Sequence, residues 1–384
     1  MTRVLLRTLA AAVLLVAAGL IGWRVLAPAE VLASATTPYP PLTIRQAGVT
    51  SKINVAPLVV DGRLRVYAAK HQVRADGPVD ARTVYTARWS FRRWPEQLSG
   101  VAAGGTTVVT RWSDGDLVAL DARTGKISWR TDAPEAPGYA GHRTGAATVW
   151  DPPGLRIAGG SVVVTADQEL MGYDLSTGAL RWRMTRPDGC AESFTTTEGV
   201  YACTGGSAVL DVMTGKPVTG WPAAPWTPLG CDSDGSGCAG LRDAAGQGWV
   251  HGKRAPALDD PDATVAAGVV VSSDGNGVTG RSPSAEGGAS WSWSGSARVL
   301  GGYGATVLLL TPENTLIGVD AGTGVETLRF ALGQGGESTV WKPGAYRIAG
   351  GYLAMERLNI DAPDDPESPI YYLTLDTVIV AALG

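Results

Sequence analysis

The chain has no excess of basic residues, because 32 Lys and Arg stand against 36 Asp and Glu and give a formal net charge of −4. Domains that bind nucleic acid usually carry a basic stripe, so nucleic acid is excluded as a partner. Histidine is scarce too. The three His residues (His71, His142 and His251) are isolated, with no partner at the spacing of metal ligands.

Several catalytic motifs are also missing. The sequence contains neither the Gly-x-Ser-x-Gly nucleophile elbow nor the phosphate-binding Gly-x-x-x-x-Gly-Lys loop. No two cysteines stand in a Cys-x-x-Cys pair, which excludes the usual dithiol redox site. These absences favour a protein that is not an enzyme.

What the sequence does contain is a repeated phrase, Asp-x-x-Thr-Gly, in four copies. Asp and Thr side chains can bond the backbone of a tight turn, and Gly accepts the positive φ that reverses a strand. A large residue follows four positions after three of the glycines, whereas in the third copy the tryptophan slips to Trp221. The repeat residues are Asp121, Thr124, Gly125 and Trp129; Asp174, Thr177, Gly178 and Trp182; Asp211, Thr214 and Gly215; and Asp320, Thr323, Gly324 and Leu328.

Upstream of these turns, one or two glycines precede β-branched runs such as Val162-Val163-Val164, which predict buried strands. With weaker copies included, the turns fall near residues 80, 121, 174, 211, 243, 281, 320 and 376. A period of about 40 residues with four strands in each unit indicates propeller blades. We therefore expect an all-β protein, a β-propeller of four-stranded antiparallel blades, with eight blades favoured and seven as the alternative.

The strings 117–129 and 170–182 resemble the tryptophan-docking repeat of quinoprotein-like (pyrroloquinoline quinone-type) β-propellers. The resemblance implies that each Trp packs on the neighbouring blade. The family holds dehydrogenases as well as scaffolds such as the outer-membrane assembly lipoproteins. Its alcohol-oxidising members carry an adjacent Cys-Cys pair, and no two cysteines are adjacent here, so the resemblance favours the non-enzymatic branch.

The N-terminus predicts export. Arg3 and Arg7 precede an apolar stretch, which we interpret as a signal anchor or transmembrane helix over residues 1–27, with its N-terminus in the cytoplasm. A Pro-containing linker is expected over 28–54 and the propeller over 55–384. Cleavage after Ala35 would instead release a secreted protein. No Cys lies near this stretch, which excludes a lipoprotein-type anchor.

An exported chain is expected to oxidise its cysteines. The simplest of the three possible connectivities pairs nearest neighbours, Cys190 with Cys203 and Cys231 with Cys238. The polar run between the second pair also imitates the spacing of a calcium loop through Asp232, Asp234, Ser236 and Asp243. Position twelve of that run is Asp rather than the bidentate Glu, and an ordinary turn is the favoured interpretation.

The sequence therefore predicts a membrane-anchored, extracytoplasmic propeller that binds an envelope or membrane protein or acts as an assembly scaffold. We expect no cofactor. The alternative is a dehydrogenase of alcohols or sugars that uses pyrroloquinoline quinone and calcium. The predicted partner surface consists of Trp221, Trp226, His251 and Arg254, which concentrate aromatic and cationic groups. Trp249 lies in the same stretch, but we expect it to dock between blades.

Overall fold

The computed structural model describes residues 2–83, 86–188, 190, 192–206, 208–284, 289–333, 340–373 and 376–384. Helix α1 (Thr2–Leu26) comes first and is followed by strands β1 (Ala29–Ala33) and β2 (Gly48–Ile53). No helix within the described ranges has the length and the apolar content needed to cross a membrane. The span predicted for residues 1–27 is therefore not supported.

The rest of the chain forms eight antiparallel sheets in succession, the blades of a β-propeller, so the eight-bladed prediction is confirmed over the seven-bladed one. Blade 1 contains β3 (Leu58–Val60), β4 (Leu64–Ala69), β5 (Gln72–Asp76) and β6 (Ala87–Trp94). Blade 2 contains β7 (Leu98–Gly104), β8 (Thr107–Trp112), β9 (Asp116–Asp121) and β10 (Ile127–Asp132). Blade 3 contains β11 (Leu155–Ala158), β12 (Ser161–Thr165), β13 (Glu169–Asp174) and β14 (Leu180–Thr185), after a short helix α2 (Ala146–Val149).

The remaining blades are less regular in the middle of the chain. Blade 4 contains β15 (Ser193–Thr195), β16 (Val200–Cys203) and β17 (Val209–Asp211), and blade 5 contains β18 (Thr227–Leu229), β19 (Gly240–Arg242), β20 (Gly248–Val250) and β21 (Lys253–Arg254). A 3-10 helix (Pro256–Asp259) precedes blade 6, which contains β22 (Ala263–Ala266), β23 (Val269–Ser273), β24 (Gly277–Arg281) and β25 (Trp291–Ser294). Blade 7 contains β26 (Arg298–Tyr303), β27 (Thr306–Leu310), β28 (Thr315–Asp320) and β29 (Glu326–Ala331), and blade 8 contains β30 (Lys342–Ala349), β31 (Tyr352–Leu358) and β32 (Val378–Ala382).

Residues 28–54 differ from the predicted linker, because they supply two strands to the ring. Strand β1 pairs with β6 and adds a fifth strand to the outer edge of blade 1. Strand β2 pairs with β32 and becomes the fourth strand of blade 8, so the two ends of the propeller chain close the ring together. Both partner strands are distant in sequence, and for that reason the local Pro-containing pattern did not reveal them.

Most of the predicted turns connect the third and fourth strands of their blades. The turn at Asp211 follows the last of the three strands of blade 4, and two further turns lie between second and third strands. Asp243 lies in the hairpin between the second and third strands of blade 5, β19 and β20. Asp376 precedes the third strand of blade 8, whose fourth strand is β2. The turn predicted between 280 and 291 does join β24 to β25, although residues 285–288 lie outside the described residues.

The tryptophans of the repeat dock each blade on the next one. The indole N–H of Trp129 donates to the carbonyl of Leu175, and that of Trp182 donates to the carbonyl of Val212. Both acceptors follow the Asp of the next blade's turn by one residue. The same bond joins Trp89 to Ala122 and Trp291 to Ala321. Four of the contacts between consecutive blades therefore use one geometry.

Candidate partner-binding groove

The turn residues of the repeat close their own hairpins. In blade 7, Thr323 donates both its hydroxyl (2.7 Å) and its backbone N–H (2.8 Å) to the carboxylate of Asp320. These bonds lower the pKa of Asp320 below its ordinary value. The backbone N–H of Gly324 then donates to the Asp320 carbonyl (2.9 Å). Because all these groups bond to one another, the turns serve to hold the scaffold together. They lie at the end of the ring that carries the connections between third and fourth strands.

Both disulfides have the nearest-neighbour pairing expected from the sequence, Cys190 with Cys203 and Cys231 with Cys238. The second one closes the connection 230–239 between the first two strands of blade 5, which we call the plug. The plug contacts the first strands of three other blades. It lies across the channel at the centre of the ring, because the first strand of each blade is the one nearest the axis.

Two arginines from different blades hold the plug. Arg347, on β30 of blade 8, contacts the carboxylate of Asp234 at 2.9 Å and that of Asp232 at 3.0 Å. Arg156, on β11 of blade 3, donates to the Asp234 carbonyl at 2.9 Å. The hydroxyl of Ser233 donates to the carbonyl of Trp150 at 2.7 Å. The plug therefore links blades 3, 5 and 8 through the middle of the ring.

Backbone hydrogen bonds add blade 4 to this arrangement. The N–H of Thr195 donates to the carbonyl of Gly235 at 2.9 Å, and the N–H of Cys238 donates to the carbonyl of Thr195 at 2.8 Å. Thr195 belongs to β15, the first strand of blade 4. Four of the eight blades are thus joined by one disulfide-closed loop.

The plug forms the floor of a groove of about 1020 Å³. Its walls are the connection between blades 2 and 3 (134–137 and 151–154), the hairpin 165–169 of blade 3 and the start of blade 4 at Glu192 and Ser193. Connections between blades lie at the end of the ring opposite the Asp-x-x-Thr-Gly turns, since strands alternate in direction. The groove is therefore a feature of that opposite end.

Arg111 fixes the groove walls relative to one another. Its side chain is buried, and one guanidinium nitrogen donates to the carbonyls of Pro153, Gly154 and Thr165 at 3.1–3.2 Å. The other nitrogen donates to the carbonyls of Pro134 and Glu135. Burial lowers the pKa of Arg111 to about 10. One buried cation thus connects three segments of the groove wall, which makes the groove preformed.

The predicted partner surface is brought together only in part. Trp221, Trp249 and His251 line one shallow depression, while Trp226 is buried against the core between blades 4 and 5, with its indole N–H on the carbonyl of Pro222 (3.0 Å). Arg254 is ion-paired with Asp259 at 2.6 Å. Trp249 donates to the Asp243 carboxylate at 2.9 Å and packs against the hydrophobic cluster that blades 4 and 5 share.

His251 remains the exposed part of this depression and pairs with Glu198 of blade 4. Burial works to raise the pKa of Glu198, but hydrogen bonds from His251 and Thr196 lower it below its ordinary value. Sequence reasoning identified this depression and missed the groove. The groove depends on Arg111 and Arg156, whose roles come from contacts with distant carbonyl groups and leave no local pattern.

The plug does not fit a calcium-binding loop. Calcium takes six to eight oxygen ligands, but Asp232 and Asp234 are paired with Arg347, and the hydroxyl of Ser236 donates to Asp234 at 2.6 Å. The fourth candidate, Asp243, accepts bonds from the N–H groups of its own hairpin. The described part of the chain contains no group of three or more His, Cys, Asp or Glu that could hold a metal ion.

Residues 86–220 match a family model described as outer membrane protein assembly factor BamB. This match confirms the resemblance that the docking repeats indicate. A search of curated proteins found no match.

Solved structures similar to the chain include BamB from Moraxella catarrhalis, at 16% identity over 89% of this chain and 99% of that one, with a TM-score of 0.43. They also include quinohemoprotein alcohol dehydrogenase from Comamonas testosteroni, at 15% identity over 92% and 76%, with a TM-score of 0.38. The C-terminal WD40 domain of Sif2 is similar at 12% identity over 83% of each chain, with a TM-score of 0.36.

Proposed function

We propose that this chain is an extracytoplasmic propeller that binds an envelope protein in the groove over blades 2 to 4 and so acts as an assembly scaffold. The observation that carries the proposal is the groove itself, whose walls are fixed by the buried Arg111 and whose floor is the plug. A preformed concave surface limits the ordering cost that a partner incurs on binding.

The matched family segment supports the choice of this surface. Residues 86–220 include every groove residue from Arg111 to Ser193, and only the plug lies outside them. The description of that family names an outer-membrane assembly factor. An envelope protein is therefore the class of partner that we propose.

Two features support an extracytoplasmic location: the apolar stretch behind Arg3 and Arg7, and two disulfides that form readily only in oxidising compartments. We propose that the stretch remains attached as an anchor. Ala29 pairs with Trp94, at the end of β6 that leads into blade 2, so the N-terminal segment reaches the ring at the same end as the groove. An anchor there places the groove on the side facing the membrane.

Site-specific photo-cross-linking in the native envelope tests the proposal. A photoreactive residue at Gln168, which is exposed in the groove, should cross-link a defined envelope protein. The same residue at Arg123, which is exposed at the opposite end of the ring, should not. A third position at His251 tests the predicted aromatic depression. Equal cross-linking at Gln168 and Arg123, or a specific product at His251 alone, would contradict the groove as the binding site.

A further inference from the structure

We infer that the groove selects a partner segment that is extended and carries Lys or Arg side chains. This inference rests on the proposed function and names the chemistry of the partner. It rests on a difference between the side chains that line the groove: three acidic ones are exposed and, among the described residues, unpaired, whereas the basic ones donate to groups of the protein itself.

The acidic side chains of the wall are free to meet a partner. Glu135, Asp167 and Glu192 come from three different connections around the groove, and each is exposed. Within the described residues, none of the three carboxylates forms an ion pair or a side-chain hydrogen bond. Burial raises the pKa of a fourth lining carboxyl, Asp151, against the opposing charge of Arg156.

The basic side chains of the lining point their donors into the protein instead. Arg111 donates only to backbone carbonyls, as described above. Arg156 donates to the Asp234 carbonyl and the Ser193 hydroxyl, and Arg186 donates to the Cys190 carbonyl at 2.8 Å. These guanidinium groups bond to the walls and floor of the groove, while the three carboxylates are exposed.

The size of the groove distinguishes a polypeptide from a small cation. Its volume of about 1020 Å³ lies at the upper limit of roughly 300–1,000 Å³ for small-molecule pockets. Pro134, Pro137 and Pro153 also line it and stiffen its walls. A large groove with stiffened walls and exposed carboxylates is complementary to several residues with cationic side chains.

The test measures binding of two defined octapeptides to the purified propeller by fluorescence anisotropy. One is Ac-GKAKAKAG-amide, and the other is its Glu counterpart, Ac-GEAEAEAG-amide. The Lys peptide should bind and the Glu peptide should not, and raising NaCl to 0.5 M should weaken the binding because exposed charges are screened. The triple variant Glu135→Gln/Asp167→Asn/Glu192→Gln should bind the Lys peptide about tenfold more weakly.

A matched control removes three exposed carboxylates elsewhere, through Asp262→Asn, Glu313→Gln and Asp361→Asn. It has the same net charge as the triple variant and should bind like the unmodified protein. Equal loss in both variants, equal binding of the two peptides, or complete competition by magnesium at equimolar charge would overturn the inference. The cross-linking at Gln168 would be unaffected by those results, because it does not depend on which charge the partner carries.

Discussion

The glycine that ends each repeat meets two requirements at once. Gly178 has a φ of +72°, and a Cβ added there would lie 2.5 Å from the ring of Trp129. Gly125 stands in the same relation to Trp89: its φ is +71°, and an added Cβ would lie 2.4 Å from the ring atom Cγ. The residue is therefore fixed by the turn in its own blade and by the indole of the blade before it.

Substitution of Gly178 by Ala should separate these two requirements. Gly105 is the matched control, because its φ is +57° but a Cβ there has no neighbour within 4 Å. Gly105→Ala should cost about 1–2 kcal/mol for the left-handed backbone alone. Gly178→Ala should cost about 1–3 kcal/mol more, since the indole must move. Equal free energies of unfolding in urea for the two variants would contradict the docking role.

Blades 5 and 7 depart from the repeat, and the reasons again lie in individual residues and turns. Blade 7 carries Leu328 where blades 1, 2, 3 and 6 carry a docking Trp. The next blade has no turn to receive an indole, because its third and fourth strands are far apart in sequence. Blade 5 joins its last two strands by a tight turn at His251 and Gly252 without the motif. Trp221 packs against the core around Phe194 and lines the same depression as His251 and Gly252, so it lies beside a turn that lacks the motif.

Arg347 should contribute more to stability than any surface arginine. Its side chain is 15% exposed and Asp234 is 8% exposed, so Arg347→Met leaves a buried carboxylate without its partner and should cost about 3–5 kcal/mol. Arg329→Met removes an exposed pair with Glu326 and should cost about 0–1 kcal/mol. Urea denaturation measures both. Recovery of stability on adding Asp234→Asn to Arg347→Met would show that the isolated charge causes the loss.

At the scale of elements, the plug and the connection between blades 2 and 3 link six of the eight blades, which are blades 1 to 5 and blade 8. The connection contributes Thr144, whose hydroxyl donates to the buried Glu356 on β31 of blade 8. It also contributes Trp150, whose indole N–H donates to the carbonyl of Pro57 at 2.8 Å. The connection between blades 2 and 3 therefore also bonds to blade 8 and to the start of blade 1.

Glu356 should make the contact between this connection and blade 8, and with it the stability of the fold, depend on pH. Burial raises the pKa of Glu356 above its ordinary value, although the hydrogen bond from Thr144 opposes this. The folded protein therefore holds the proton to higher pH than the unfolded chain does. The contribution of the protonated Glu356 carboxyl to stability is complete below the unfolded pKa of roughly 4.3. It is lost as pH rises through the pKa of the folded protein.

Unfolding in urea at several pH values above 4 measures this effect. As pH rises, the free energy of unfolding of the unmodified protein should fall relative to that of Glu356→Gln. The reason is that the Glu356 carboxyl ionises, whereas the Gln amide does not. Exposed Glu313→Gln is the control and should show no such trend. A difference that stays constant with pH would contradict the prediction.

The plug also gives a clear expectation for metal removal. Because Arg347 occupies the carboxylates of Asp232 and Asp234, a chelator such as EDTA should leave the melting temperature unchanged, and added calcium should not raise it. A calcium-dependent rise of several degrees would show that the loop exchanges its arginine for a metal ion.

The sequence revealed the elements with local signals and missed those that depend on remote partners. The turns at Asp121, Asp174 and Asp320 were readable because the Asp, Thr and Gly that close each hairpin are contiguous. Strands β1 and β2 were not, since their pairing partners lie in β6 and β32. The groove was hidden for the same reason, because Arg111 and Arg156 bond to segments more than twenty and more than seventy residues away, respectively.

At the scale of the whole molecule, closure of the ring depends on β2. This strand places Ser51 and Ile53 in the interior of blade 8, and it covers the edge of β32. Strand β1, by contrast, is exposed at all five residues on the outside of blade 1. The two N-terminal strands therefore differ in what they contribute to the fold.

Two truncations should show the difference. A chain that starts at residue 36 lacks only α1 and β1, and its melting temperature should fall by a few degrees while unfolding stays cooperative. A chain that starts at residue 55 also lacks β2 and should fail to fold into a monomeric ring, because the edge of β32 is left unpaired. Circular dichroism and size-exclusion chromatography compare them. Equal melting temperatures would contradict closure by β2.

The same closure sets the order in which the blades can be completed. Residues 48–53 are synthesised early, whereas their hydrogen-bonding partners at 378–382 follow only after the strands of blades 1 to 7. Blades 1 to 7 can form as they are synthesised, whereas blade 8 has to wait for residues 378–382. Until then the ring has an open seam between its first and last blades, and β2 has no strand to pair with.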